Sequence, residues 1–342
     1  MFRNCFLYFV VTLLIFCNLN NANAMEIWDK VYPKSNNVNV QKVYFKNRYG
    51  IKLAGDLYIP KTVNKNEKMP AIAISGPFGA VKEQSSGFYA QTLAEKGFIT
   101  LAFDPSYTGE SSGTPRSIAS PDINTEDFSA AVDYLSNRND VNPDKIGILG
   151  ICGFGGFAVN AAAIDTRIKA TVASTLYDMT RVSAKGYYDS VDEKARFENK
   201  QNLNKQRTED YKNGNYAKAQ GLPEKLSGNE PQFVKDYWNY YKTKRGFHKR
   251  SINSNGNWNT TSALSLINQP ILQYAGEIKS PVLIVHGENA HSRYFGEDVF
   301  KKLKGSNKEL LIVKGANHVD LYDNAEKIPF DKIVSFYKEN LK

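Results

Sequence analysis

Cys152 stands in the run Gly150-Ile151-Cys152-Gly153-Phe154-Gly155-Gly156, directly after the apolar stretch 145–149 and before a run with apolar residues at helical spacing. A strand that enters a sharp turn and leaves as a helix lifts the residue at the turn to the sheet edge and aims it at the helix N-terminus, the arrangement called a nucleophile elbow. The backbone doubles back there, so small neighbours are required, and Gly150 and Gly153 supply them. The chain has three cysteines. Cys5 and Cys17 fall in a segment expected to be removed, which leaves Cys152 without a disulfide partner, and a metal site would need several further ligands. A helix N-terminus lowers a thiol pKa from about 8.5, so thiolate is expected near neutral pH. The Gly153 N–H is then free to hold an oxyanion. A base for the thiol must come from the four histidines His248, His286, His291 and His318.

The elements that position these residues can be read from patterning. Residues 40–46 alternate as a strand, break at Asn47-Arg48-Tyr49-Gly50 and resume over 51–59, which predicts an antiparallel hairpin. Short apolar runs follow at 71–75, 99–103, 146–149, 170–174, 282–286 and 310–313. Between them, helical spacing appears at 87–96, 125–137, 154–164 and 296–303. Strand and helix in alternation imply a parallel sheet covered on both faces, with functional groups at the carboxyl ends of the strands. From 179 to 276 the rhythm stops and the chain turns Lys-, Asn- and Tyr-rich, with helical pieces at 192–211 and 230–242 and a polar stretch at 246–269 expected to be loop. The expected organisation is therefore a core of 25–178 and 277–342 with a helical cap insertion at 179–276. Tyr187, Tyr188, Tyr237, Trp238, Tyr240 and Tyr241 could line a pocket under it or form its own core.

The glycine run is similar to the Gly-x-Ser-x-Gly-Gly elbow of the α/β-hydrolase superfamily, with cysteine in place of serine as in its dienelactone-hydrolase-like branch. The resemblance extends over Leu53-Ala-Gly-Asp-Leu-Tyr-Ile-Pro60, Ser75-Gly-Pro-Phe-Gly-Ala-Val-Lys-Glu83 and Phe103-Asp-Pro-Ser-Tyr-Thr-Gly-Glu-Ser-Ser-Gly113. It implies an α/β-hydrolase fold with a mostly parallel central sheet, Cys152 as nucleophile and His318, after the last strand, as its base. His286 is framework by the same comparison, and Asp104 and Ser111 are structural. The loop after the first core strand implies a second oxyanion donor; Pro77 has no N–H, so the donor is Phe78, alongside Gly153. Two departures stand out. Phe154 occupies the place of a small residue, and Ala290 stands where the orienting acid is expected, leaving Glu288 or Asp178 as the third member.

Met1 to Ala24 reads as a cleavable export signal, with Arg3, an apolar core and Ala22-Asn23-Ala24, and implies a periplasmic or secreted protein. That core is short against the about 20 residues of a membrane span. The net charge is +9, and residues 181–250 hold 16 Lys and Arg against 9 Asp and Glu. These charges are scattered among acids, so a solvated helical surface is expected, with weak attraction to anionic surfaces and no nucleic-acid partner. The sequence calls for no cofactor and no metal. The activity implied by the resemblance is cleavage of a carboxylic ester, lactone or thioester through an acyl-enzyme, with a small-molecule acyl substrate. Acyl transfer on the same scaffold, or a non-catalytic binding protein on a degenerate one, are the alternatives.

Overall fold

A computed structural model describes residues 28–62 and 67–342; the expected export signal lies outside the described residues. Eight strands form one sheet in the order β1-β2-β4-β3-β5-β6-β7-β8. β1 (Val38–Lys46) and β2 (Lys52–Pro60) form the expected antiparallel hairpin. Its turn is held by the Asn47 side chain, whose Oδ1 accepts from the N–H groups of Tyr49 and Ile51, while Gly50 takes φ +78°. β2 meets β4 (Ile99–Phe103) antiparallel. From there β3 (Met69–Ser75), β5 (Val141–Ile151), β6 (Ala170–Ser174), β7 (Val282–Gly287) and β8 (Lys308–Val313) continue the sheet in parallel.

Every residue of β4, β6 and β7 is buried, as a parallel sheet with both faces covered requires. Helices α1 (Ser85–Glu95), α2 (Pro121–Ser136) and α3 (Gly153–Ile164) supply part of that cover. α2 begins on a capping Ser120 side chain followed by Pro121, a favourable start for a helix. The register brings the strand ends level: Ser75 lies beside Gly150, Ile151 beside Ser174, Ser174 beside Val285 and Gly287 beside Val313. The loops after β3, β5, β6, β7 and β8 therefore emerge next to one another, and residues far apart in sequence share one rim.

Between β6 and β7 the chain forms α4 (Met179–Lys185), α5 (Glu193–Asn213), α6 (Gln232–Tyr241), α7 (Ile252–Asn255) and α8 (Ala263–Asn268). α5 buries only Leu203 and Asp210 and is otherwise a solvated, highly charged helix. α7 and α8 lie in the stretch 246–269 that patterning assigns to loop. Helices of one turn or so carry too few residues to show a period, and this is why they are missed. After β7 come α9 (Arg293–Lys302), the short α10 (Asp320–Asp323) and α11 (Phe330–Asn340). α11 shares one face of the sheet with α1, and its Tyr337 hydroxyl donates to the Ile148 carbonyl at 2.6 Å. Among the described residues no helix is long and apolar enough to cross a membrane.

Candidate active site

Cys152 sits between β5 and α3 with φ 57° and ψ −126°, a backbone conformation that a residue with a side chain rarely adopts. The strain is held by the surroundings. Cys152 N–H donates to Ser174 O at 3.0 Å, and its carbonyl accepts from Gly155 and Tyr177 N–H groups. A Cβ at Gly150 would lie 2.0 Å from the Phe154 carbonyl oxygen, and one at Gly153 would meet Phe78 Cβ at 2.7 Å. Phe154 does not loosen the turn: its ring is buried and packs between Phe128 and Phe157, with centroids 6.1 and 5.2 Å away.

Four groups act on the sulfur to favour its thiolate: the hydroxyls of Tyr322 and Tyr237 and the backbone N–H groups of Gly153 and Phe78. They are outweighed by burial, which is the largest influence and raises the Cys152 pKa above its ordinary value. This corrects the expectation of a free thiolate from the helix N-terminus. The thiol is 6 % exposed, and with desolvation dominant the resting group is S–H.

His318 lies in the loop between β8 and α10, 2 % exposed. Its Nδ1 meets two hydroxyls, Thr175 Oγ1 at 2.9 Å and Ser292 Oγ at 2.5 Å, and its Nε2 meets the Tyr322 hydroxyl at 3.1 Å. Burial, reinforced by His291 and His286 nearby, holds its pKa well below the ordinary histidine value. Both ring nitrogens thus face hydroxyls, each of which can donate or accept, so either neutral tautomer is satisfied.

Both acid candidates are engaged elsewhere. Glu288 is exposed and its Oε2 accepts from Gly315 N–H at 2.8 Å, tying the β7 loop to the β8 loop. Asp178 caps α4, its Oδ1 accepting from Thr180 N–H, Thr180 Oγ1 and Arg181 N–H. Among the described residues neither carboxylate bonds His318, and hydroxyls take the position where the acid was expected. His286 is fully buried with its pKa lowered to about 3 by burial, in keeping with framework. His291 stacks on Phe233 at 4.7 Å and lies 4.9 Å from the His318 ring, with its pKa lowered to about 4 by burial. His248 is buried beside Arg250, away from the thiol in the ion-pair region of Glu83 and Asp29.

The sequence reading missed Thr175, Ser292 and Tyr322. For Tyr322 a signal existed: it follows His318 by four residues across a helical turn, a spacing that puts two side chains on one face.

A cavity of about 180 Å³ opens onto Cys152 between Phe78, Tyr177, Met179, Leu222, Tyr237 and Tyr241, with Asn253 and Tyr322 completing its wall and no charged side chain among its lining residues. Tyr187 backs it through contact with Tyr177, whereas Tyr188 is exposed on Tyr294 and Tyr240 is buried packing. A larger open groove of about 550 Å³ along α4, α8 and α9 contains neither Cys152 nor His318. Among the described residues no cluster of His, Cys, Asp and Glu could hold a metal ion.

The chain is similar to known proteins along most of its length. Uncharacterized protein PA2218 of Pseudomonas aeruginosa is 56 % identical over 315 residues, 92 % of this chain and 84 % of that protein, and its crystal structure matches with a TM-score of 0.89 over 92 % of this chain and 98 % of that one. The α/β hydrolase GrgF from Penicillium sp. sh18 matches at TM-score 0.73 with 19 % identity, covering 89 % of this chain and 99 % of that one, a likeness of fold. Thiohydrolase aneE of Aspergillus aculeatus is 32 % identical over 139 residues, 40 % of this chain and 42 % of that protein. The sheet and its helices are thus an α/β-hydrolase fold. Residues 49–320 match the model of the X-Pro dipeptidyl-peptidase (S15 family), and the chain belongs to that family.

Proposed function

We propose that this protein is an acyl-transferring hydrolase that cleaves a carboxylic ester, lactone or thioester through Cys152. The observation that carries the reading is a buried sulfur at a strained strand-to-helix turn that opens onto a cavity, with Phe78 packed so closely on Gly153 that an added Cβ would meet Phe78 Cβ at 2.7 Å. In the proposed reaction the sulfur attacks the carbonyl carbon, and the carbonyl electron pair moves to an oxygen held by the Phe78 and Gly153 N–H groups. His318 takes the thiol proton and returns it to the leaving group. Water then releases the acyl-thioester by the reverse sequence.

The uncharged cavity suits a neutral acyl group. The hydroxyl partners of His318 bear on the leaving group. Without a carboxylate on Nδ1, the imidazolium needed to protonate a departing amine gains little support, whereas a thiolate or phenolate leaves without such help. This favours esters and thioesters over the peptide bonds named in the family description, and agrees with a thiohydrolase among the relatives. A second reading, acyl transfer, is favoured by the near-complete burial of Cys152 beneath residues 222–253, which limits access of water. The export segment at 1–24 supports action in the periplasm or outside the cell; the released protein is expected to begin at Met25, as read by intact mass.

The test is a panel of chromogenic neutral acyl esters and thioesters with the wild type and Cys152→Ala. Turnover abolished in Cys152→Ala, with an acyl adduct on Cys152 by mass spectrometry, is expected. Equal turnover by both proteins would overturn the assignment of Cys152, and no turnover by the wild type across the panel would favour a binding scaffold.

A further inference from the structure

Along the sequence the excess cations of residues 181–250 are interleaved with acids, yet on the surface of α5 the helical turn sorts them. The helix buries only Leu203 and Asp210. At about 100° per residue those two lie together on one side, and Phe197 is turned about 130° away from them. Phe197 is 57 % exposed and Tyr211 93 % exposed, and the two stand about 40° apart around the helix axis. Lys194, Lys200, Lys205, Arg207 and Lys212 all fall within about 80° of Phe197 on either side, and the one carboxylate of α5 in that arc is Glu193. Glu198 and Glu209 stand outside its edge.

Among the described residues none of these five cations pairs with a carboxylate, whereas Arg181, Lys242, Arg245 and Arg250, on other parts of the inserted segment, are each paired. Lys194, Arg196 and Lys200 also surround Phe197 at an open hollow of about 500 Å³, beside Glu193. From this arrangement we propose that the outward face of α5 docks the protein on an anionic phospholipid surface, with Phe197 and Tyr211 as its anchors. The inference does not depend on Cys152 or on any acyl chemistry.

A bilayer rich in anionic headgroups attracts basic side chains that have no other partner. Aromatic rings settle at headgroup level, where an apolar layer lies just beneath a charged one. A face that sets two exposed rings among five unpaired cations matches both layers. A nucleic-acid backbone matches only the charge, and a second copy of the same face repels it. No described helix is long and apolar enough to cross a membrane, so the contact runs along the surface, over a helix about 31 Å long. With only two rings to insert, attraction is mainly electrostatic and therefore sensitive to salt.

The test is co-sedimentation of the whole protein with vesicles of phosphatidylcholine alone and of equal parts phosphatidylcholine and phosphatidylglycerol. Binding to the mixed vesicles only, lost at about 1 M salt where charges are screened within about 3 Å, is expected. The triple variant Lys194→Glu, Lys205→Glu, Lys212→Glu should weaken partitioning by about 10-fold or more, and Phe197→Ser by about 3-fold, with thermal melting confirming the fold. The control triple Lys61→Glu, Lys68→Glu, Lys96→Glu carries the same change in net charge on exposed lysines beside the end of β2 and the starts of β3 and β4, and should bind like wild type. A footprint on the wild type needs no variant: lysine acetylation read by peptide mass is expected to fall at Lys194, Lys205 and Lys212 when mixed vesicles are present, and to stay unchanged at Lys96. Equal weakening in the two triples would reduce the effect to total charge, and unchanged acetylation along α5 would place the contact elsewhere; either overturns the proposal. Retention by duplex DNA as strong as by vesicles at equal phosphate would overturn it in favour of a nucleic-acid partner.

Discussion

At the scale of single residues, the site is a neutral one. Burial raises the Cys152 thiol and lowers the His318 imidazole, so no ion pair forms at rest. The sign for pH follows. In the proposed reaction the base is neutral His318, and because its pKa is lowered, protonation removes activity only below the ordinary histidine range. The kcat/KM profile is therefore expected to pass through pH 6.5 without an inflection, and a titration near 6.5 in the free enzyme would contradict the assignment of His318. Ser292→Asp reverses this. A carboxylate at Nδ1 stabilises the imidazolium and moves the acid limb up toward or past 6.5, measurable in the same profile. Cys152, Gly153, Phe78 and His318 are legible in the sequence because glycine runs and strand ends constrain the backbone that carries them. The hydroxyls of Thr175 and Ser292 are not, since serine and threonine occur everywhere and only the folded loops select these two. Glu288 and Asp178 were sought by chemical type, whereas a loop tie and a helix cap occupy them.

At the scale of elements, the loop after β3, the proposed oxyanion loop, depends on the segment inserted between β6 and β7. Ser251 Oγ donates to Gly79 O at 2.9 Å, Asn253 N–H to the same oxygen at 3.2 Å, and Asn253 Nδ2 to Phe78 O at 2.7 Å. Trp258 stacks on the Phe78 ring with centroids 4.3 Å apart. The loop proposed to present one oxyanion donor is thus bolted to α7, in the very stretch whose composition reads as loop. Asn253→Ala frees the Phe78 carbonyl, so the backbone at Phe78 loses a restraint and the N–H in the preceding peptide is held less firmly. The expected result is a fall in kcat of about 10-fold with KM nearly unchanged, smaller than the ~10²–10³-fold loss of a donor outright; a change confined to KM would assign Asn253 to substrate binding instead. Gly79→Ala is expected to be worse. Its φ is +84° and an added Cβ would lie 2.4 Å from Asn253 Oδ1, so backbone strain and collision combine. Its kcat should fall below that of Asn253→Ala. Strand-helix alternation implies the parallel sheet, and right-handed crossovers prune its arrangements, but the placing of β4 between β2 and β3 is seen only in the folded chain.

At the scale of the whole molecule, one buried charge network ties the N-terminal segment, the oxyanion loop, the loop after β4 and the inserted segment together. Lys82 is fully buried and bonds Glu83 at 2.5 Å, Asp104 at 3.2 Å and Glu110. Arg250, from the inserted segment, pairs with Glu83 at 2.6 Å and Asp29 at 2.9 Å. Burial raises Asp104 to about 6 despite Lys82 beside it, whereas Lys42 and Lys82 overcome burial at Glu110 and lower it to about 2. Removing the central cation with Lys82→Met leaves Asp104 and Glu83 buried without their main partner. Breaking a buried pair in this way costs about 3–5 kcal/mol. The loss must depend on pH with a definite sign. Without Lys82 the two carboxylates favour their neutral forms still more, so the variant gains protons, and stability relative to wild type, as pH falls through the region of the Asp104 titration. Urea unfolding is expected to show the larger deficit at pH 8 and a smaller one at pH 5. An equal deficit at both would mean that the ammonium serves as packing volume and that the carboxylates find their compensation elsewhere, in Arg250 and the backbone N–H groups of Lys82 and Glu110 that already face Asp104.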